Sequence, residues 1–574
     1  MKKTKIVCTI GPASDSEDTL RELFKSGLNV CRINFSHGTH EQHQVRIDRI
    51  KKIRQELNLP IAIMLDTKGP EIRLKNFGTG SITLTKGQPF TGDETICSVT
   101  YTNLAKEVQP RDRILIDDGL IELRVEKITD GTDILCTAMS DGPVSNHKGI
   151  NIPGVKIKLP FLSEQDISDL KFGVQNGIDF VAASFTRSPA DILSIRKVLE
   201  EENGHHIHII AKIENQEGVD SIDKILEVAD GIMVARGDLG IEIPPEQIPL
   251  VQKMIIRKTL RASKPAITAT QMLESMTHNP RPTRAEVTDV ANAIFDGTSA
   301  IMLSGETAAG KYPVETVKMM NRIAVTTENS LNYDKIMSAV AREHSLTITN
   351  AIAHATCSMA LEMNAQVIIT ATSSGETPQA LSKYKPKVPI VEETARRLSL
   401  NWGVYPILAP YFQSTDEMFE RCINVAKENG FVQEGELAVL TAGVPIGLVG
   451  STNLLKVETV GKILLKGKGT GIQSVVTGRV KVIHTETDLL TDFADGDIIV
   501  TESTNDLMNS FIERAGAVIT ENSSLSGHAA LMGMTLSKPT IVGAGEATSV
   551  LKTGDIITLN GKTGVVIKGT AAIY

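Results

Sequence analysis

Short, continuous apolar runs alternate with amphipathic ones along the first 330 residues. The runs Lys5–Ile10, Leu28–Phe35, Ile61–Leu65, Ile178–Ser184, His206–Ile213, Gly231–Ala235, Ala266–Ala269 and Ser299–Leu303 have the pattern of strands buried on both faces. Between and after them, Ser16–Lys25, His40–Leu57, Glu164–Gln175, Ala190–Glu201, Asp220–Val228, Gln247–Leu260, Arg284–Phe295 and Val314–Thr326 carry apolar residues at helical spacing. Eight strand–helix pairs are the number that closes a parallel barrel, so a (β/α)8 barrel of the TIM class is expected. An open doubly wound sheet is the alternative that pattern alone leaves.

One pair is interrupted. After Asp66-Thr67-Lys68-Gly69-Pro70 the next helix is delayed by a stretch of period-2 runs, Ser81–Leu84, Arg113–Ile116, Ile121–Val125 and Ile134–Ala138. Turns such as Asp117-Asp118-Gly119 punctuate them, which predicts a small β-barrel inserted at the barrel's C-terminal rim, placed to act as a lid. From Asp334 an α/β pattern restarts and runs to Val457. The Gly/Lys-rich Lys466–Ile472 then reads as a linker, leaving a compact β/α domain of about a hundred residues at the end. The expected domains are 1–70 with 156–331, 71–155, 332–472 and 473–574.

The strand ends carry the chemistry. Lys212 and Glu214 stand at the end of the fifth run, and Arg236 and Asp238 follow the sixth. Ligands bind at this rim in parallel α/β folds. Two carboxylates, a lysine and an arginine suit a divalent cation plus a phosphorylated anion. The second run ends in Arg32, Asn34, Ser36 and His37, the third in Asp66, Thr67, Lys68, Glu71 and Arg73, the seventh in Thr270 and Gln271, the eighth in Ser304 and Glu306.

Composition narrows the class. A formal charge of −8 and a hydrophobic fraction of 41% with one Trp describe a core-forming protein with no pull toward nucleic acid or an anionic membrane. Six scattered cysteines without CxxC spacing read as reduced core residues, and no stretch approaches a membrane span, so a cytoplasmic protein is expected.

Three patterns are set aside. Gly305–Lys311 matches GxxxxGK, but Tyr312 stands where a phosphate loop needs Ser or Thr. His37, His40 and His43 read as a helix start with solvated histidines rather than a metal site. Asp117-Asp118 reads as a hairpin turn.

The segments CTIGPAS, RINFSHG, LDTKGPEIR, AKIENQEG, MVARGDLG, TATQMLESM…NPRPTRAEV and IMLSGETAAGKYP resemble, in order, the pyruvate kinase family. The region 334–466 resembles that family's C-terminal domain. The last residues are similar to the swivelling phosphohistidine domain of phosphoenolpyruvate-utilising enzymes. The resemblance implies phosphoryl transfer from phosphoenolpyruvate to ADP, with Mg²⁺ (or Mn²⁺) and K⁺ as cofactors, a homotetramer, and a sugar-phosphate or nucleotide effector. By the same resemblance Glu214 and Asp238 hold Mg²⁺, and Asn34, Ser36, Asp66 and Thr67 hold K⁺. Lys212 neutralises the phosphoryl group and Arg32 grips it. Gly237 and Asp238 meet the substrate carboxylate, while Thr270 and Ser304 lie where the enolate is protonated. Arg73 and Lys148, with Asn34 and His37, serve the nucleotide. Glu71 matches the K⁺-dependent members.

Departures lie outside the barrel. Thr372, Ser373, Ser374 and Thr377 resemble an effector-phosphate loop, but Glu376 replaces the usual base. Near His528, Ser523 and Ser524 replace the usual glycines, so this domain is expected to take no part in the chemical step. The competing readings are a Mg²⁺-dependent phosphoenolpyruvate or pyruvate lyase or aldolase, and a catalytically inert binding protein.

Overall fold

The eight apolar runs form eight parallel strands, each with side chains buried on both faces. They are β1 (Lys5–Thr9), β2 (Val30–Asn34), β3 (Ala62–Asp66), β4 (Phe180–Ala183), β5 (His208–Ile213), β6 (Gly231–Ala235), β7 (Ala266–Ala269) and β8 (Ala300–Leu303). In the computed structural model they close into a barrel in the order β1-β8-β7-β6-β5-β4-β3-β2. The structure describes residues 1–574 except 78–79, 91–97, 342–346, 372–374, 393–395, 408–413, 434–435, 445–451, 462, 473–474 and 570–574. Among the described residues, no helix is long and apolar enough to cross a membrane.

The chain divides into two compact units. The first is 1–350 with 374–386 and 392–408, and the second is 351–373 with 387–391 and 409–574.

In the first unit, alternate strand residues sort into two cores. Ile6, Cys8, Cys31, Ile33, Ile63 and Leu65 face the surrounding helices. Val7, Val30, Met64, Ala182, Ile210 and Met233 fill the interior. The helices begin where polar caps permit. Thr39 with Gln42, Ser163 with Asp166, and Thr283 with Glu286 form reciprocal capping boxes at helices His40–Glu56, Glu164–Gln175 and Arg284–Phe295.

The insert leaves the barrel after β3. Its six-stranded sheet runs Ile72–Arg73, Gly149–Asn151, Arg113–Ile116, Ile121–Thr129, Asp133–Ala138, Pro89–Phe90, and Ser81–Leu84 pairs separately with Gly142–Ser145. It has its own core around Leu74, Ile116, Ile121 and Ile150. Asp117, Asp118 and Gly119 all take positive φ between the two strands, the turn expected of them.

The later segment 396–406 belongs to this unit and crosses the N-terminal mouth of the barrel. Leu400 enters the interior core with Val30, Met64 and Ile210. Nothing in the pattern of this segment predicts that destination.

In the second unit, Val367–Ala371 lies parallel to Leu437–Gly443, which Thr452–Thr459 flanks antiparallel. The terminal sheet has eight strands and corrects the linker expectation. Ile463–Lys466 pairs with Val565–Lys568 at one edge, and Lys468–Gly469 pairs with Thr540–Val542 at the other. Only Gly467 separates these two edge strands, so the sheet curls until its edges meet. A Cβ on Gly467 would lie 2.6 Å from Ile541 Cγ2, and one on Gly469 would lie 2.2 Å from the carbonyl oxygen of Gly561. The glycines serve close backbone approach here, not flexibility.

Candidate active site

The polar residues at the strand ends sit two positions beyond the interior apolar layer, on the same inward face. Arg32 follows Val30, Asp66 follows Met64, Ser184 follows Ala182, and Lys212 follows Ile210. All four are buried.

Asp66 is the centre of this group. Its Oδ2 accepts from Arg32 Nε at 2.5 Å, and its Oδ1 lies 3.1 Å from Lys212 Nζ and accepts from Ser184 Oγ at 3.0 Å. Burial alone would push this carboxyl up, but Arg32 and Lys212 outweigh it and hold Asp66 below the ordinary carboxylate range. Lys212 also donates to Ser184 Oγ at 2.7 Å and pairs with Glu214 Oε1 at 3.0 Å. Burial opposes its charge, yet Asp66 and Glu214 raise it well above an ordinary lysine. Arg32 is held from a second side by Thr9 Oγ1, at 2.8 Å.

Glu214 is almost fully buried, and its Oε2 accepts the backbone N–H of Phe185. Burial first, and the Asp238 carboxylate next, push it up against the pull of Lys212. Two carboxylates close enough to repel, with backbone and lysine donors beside them, form an all-oxygen donor set suited to a hard divalent cation. Asp238 is partly exposed at the start of the short helix Arg236–Glu242.

Arg236 differs from expectation. Its guanidinium does not sit with Lys212. It donates to the carbonyls of Ala269 (3.3 Å), Thr270 (2.7 Å) and Gln271 (3.3 Å), and pairs with Asp289 at 2.8 Å. Because the arginine is buried beneath the next strand's end, its charge meets backbone dipoles rather than the cleft. Thr270 and Gln271 have φ of +68° and +55°. Gly237 N donates to Thr270 Oγ1 at 2.8 Å, and that hydroxyl donates to Ala269 O at 2.6 Å.

Ser304 directly follows β8 and is anchored through its own N–H to Glu306 Oε2 at 2.7 Å, while Glu306 Oε1 accepts from Leu273 N at 3.1 Å. Asn34 and Asp66 are register partners on β2 and β3, and Asn34 Oδ1 accepts from Ser36 N at 3.0 Å. Thr67 is buried and receives the Ser184 N–H at 3.1 Å, so the four residues expected to hold K⁺ lie on two adjoining strand ends. His37 is exposed. His43, expected in solvent, is buried and stacked on Phe35 at 4.1 Å, where burial pushes it down to about 4. His40 bonds Asp169 at 2.6 Å.

Arg73 stands on a strand of the insert opposite Gly149, and Lys148 immediately precedes that partner strand, each cation with its own acidic partner. Arg73 pairs with Glu71 at 2.8 Å and Lys148 with Asp117 at 2.8 Å. The nucleotide-binding expectation therefore rests on two cations that share one edge of the insert. Of the effector loop, Thr372, Ser373 and Ser374 lie outside the described residues, and Thr377 is buried in the helix Glu376–Lys383.

Ser184 was missed in the sequence. The signal was present: a lone serine closes the apolar Phe180–Ala183 run as the other strand-end residues close theirs.

In the terminal sheet, His528 opens the helix His528–Thr535. Its Nδ1 lies 2.8 Å from Thr504 Oγ1 and its Nε2 lies 3.2 Å from Asp506 Oδ1.

Three family models match the chain: the pyruvate kinase barrel domain over residues 1–317, the pyruvate kinase alpha/beta domain over 350–458, and the mobile domain of PEP-utilising enzymes over 493–564. The pyruvate kinase of Geobacillus stearothermophilus is 49% identical over 585 aligned positions that cover all of both chains. That of Bacillus licheniformis is 49% identical over 586, and that of Staphylococcus aureus (strain MRSA252) 45% over 586, again across the full lengths.

Proposed function

The chain belongs to the pyruvate kinase family, and from that premise and the geometry of the barrel rim we infer that it transfers the phosphoryl group of phosphoenolpyruvate to ADP. Pyruvate and ATP are the products, in the last step of glycolysis. One observation carries the assignment to this rim: Asp66 holds Arg32 and Lys212 together above the barrel core, with Glu214 alongside. A polyanion entering there meets two fixed cations that need not reorganise as charge shifts.

Lys212 is the group that neutralises the phosphoryl group in transit, and Arg32 binds its oxygens before and after transfer. The backbone of Gly237 and Asp238 orients the substrate carboxylate. Glu214 and Asp238 would hold Mg²⁺ (or Mn²⁺), which when bound supplies charge neutralisation at the substrate oxygens. Asn34, Ser36, Asp66 and Thr67 would hold K⁺. Thr270 donates its own hydroxyl proton to Ala269 O. This supports a role in ordering water at the enolate carbon, shared with Ser304, rather than direct proton donation. Arg73, Lys148, Asn34 and His37 would serve the ADP phosphates once the insert closes on the rim. The same reading covers a cytoplasmic homotetramer. Neither the effector loop's chemistry nor its ligand enters the mechanism.

The test couples pyruvate formation to a lactate dehydrogenase reporter. Pyruvate should appear only with phosphoenolpyruvate, ADP, Mg²⁺ and K⁺ together. Replacing K⁺ by tetramethylammonium should abolish it, and Glu71→Lys should restore part of it by placing a fixed ammonium there. Pyruvate formed without ADP would favour the lyase reading, and full turnover without K⁺ would remove the monovalent site.

A further inference from the structure

The segment 396–406 ties itself to the barrel at residues that lie just ahead of strands. Ser399 Oγ donates to Pro60 O at 2.9 Å, ahead of β3. Arg396 Nε donates to Asp179 Oδ1 at 2.9 Å, immediately before β4. Gly403 N donates to Lys3 O at 2.9 Å, and Tyr405 Oη to Lys2 O, both before β1. From the neighbouring stretch, Lys385 Nζ donates to Thr298 O at 3.1 Å, before β8, and lies 4.8 Å from the Trp402 ring centroid. The segment is thus fastened under three strand starts, β1, β3 and β4, and Lys385 reaches a fourth, β8.

Leu400 is the side chain this fastening delivers. It has no exposed surface and belongs to the interior core with Val7, Val30, Met64, Ile210 and Met302, not to the helix-facing core. Those apolar layers are closed from below by Leu400 and bounded above by Arg32, Asp66 and Lys212, each two residues further along its strand.

We propose that Leu400 is a positioning residue for phosphoryl transfer, acting through the interior packing on the Asp66–Lys212 pair; this rests on the reaction inferred above. Protein interiors pack near crystal density, so the side chains around a void at the floor relax part of the way into it. Met64 and Ile210 share that interior cluster with Leu400, and each is on the strand of a charged partner. A displacement of about 1 Å at a reacting group can lower a rate about 10²-fold. A floor plug that only stabilised the barrel would behave otherwise, lowering the melting temperature and leaving turnover alone.

The experiment uses the full chain with Mg²⁺ and K⁺ and compares wild type, Leu400→Ala, Leu400→Met and Ile50→Ala. Ile50 is equally buried but lies in the helix-facing core. Leu400→Ala should lose about tenfold or more in kcat, with the KM for phosphoenolpyruvate changed by less. Leu400→Met should return to within about twofold of wild type, because methionine refills irregular apolar space. Ile50→Ala should lower the melting temperature while keeping kcat. If Leu400→Ala does not fold, Leu400→Val takes its place, with a loss of about threefold expected on the same argument. A Leu400→Ala (or, in its place, Leu400→Val) kcat equal to wild type, or an Ile50→Ala kcat that falls in step with its melting temperature, overturns the proposal. A wild-type chain that forms no ADP-dependent pyruvate overturns the reaction itself.

Discussion

Gly237 donates its backbone N–H to Thr270 Oγ1 across 2.8 Å, joining the end of β6 to the end of β7. The hydroxyl sits there only because Thr270 and Gln271 both take left-handed backbone angles. Such angles on non-glycine residues cost about 1–3 kcal/mol each. Arg236 offsets that by capping the carbonyls on either side of the turn.

Arg236→Lys should therefore lower kcat by about 10- to 100-fold with little change in the KM for phosphoenolpyruvate. A lysine keeps the charge but lacks the planar fork that reaches several carbonyls at once. Steady-state kinetics with a thermal melt decide it: equal kcat in a folded variant means the turn holds itself.

Lys212→Met should fold and lose about 10²–10³ in kcat or more, the scale of removing one preorganised charge at a reacting group. Arg32 and Asp66 remain paired in the variant, so phosphoenolpyruvate should still bind. Turnover within a few-fold of wild type would remove Lys212 from the mechanism.

Stability should rise with pH from about 7 to about 8.5. Lys5 is buried against Val404 O, with its ammonium 4.5 Å from the Tyr405 ring centroid, and burial pushes it down to about 7 against the pull of Glu328. Burial pushes Lys385 well below an ordinary lysine as well. In this window the unfolded chain keeps both protons and the folded chain sheds them. The unfolded state binds more protons, and raising the pH therefore favours folding. Above it the rise levels off, because Cys8 and Cys31, pushed up by burial, ionise first in the unfolded chain and offset the two lysines. Urea midpoints at half-unit pH steps would show the rise, and Lys5→Met should flatten it.

His528→Ala should leave turnover within about twofold, since both substrates can meet at the barrel rim without a carrier. Chains ending at 462 and at 472 should differ in solubility. The longer one keeps Ile463–Lys466 and Lys468–Gly469 without partners, and unpaired strands template aggregation. Phosphate found on His528 together with loss of turnover in His528→Ala would reverse the first expectation.

The barrel was legible because its strands are apolar on both faces and its helices start at capping residues such as Thr39 and Ser163. Lys212, Glu214 and Asp238 were legible because they lie at the ends of such strands or within three residues beyond them. Direction was not. Arg236 and Lys212 look alike in sequence, and only the left-handed turn at Thr270 shows where the guanidinium goes. Gly467 and Gly469 read as slack because a sequence does not show which backbone passes within van der Waals reach. His43 read as solvated because its helix is polar around it, whereas Phe35 draws the ring inward. Leu400 lies almost a hundred residues beyond β8, a separation that no local periodicity reports.

That separation has a consequence for synthesis. Ribosomes extend chains at about 5–20 residues per second. β8 is therefore complete several seconds before Leu400 has been made. For that interval the nascent barrel has all eight staves and no floor, with Met64 and Ile210 open to water or to any apolar surface nearby. A chaperone that recognises such an opening, or a pause in translation between 303 and 400, would act on the enzyme at its most vulnerable moment.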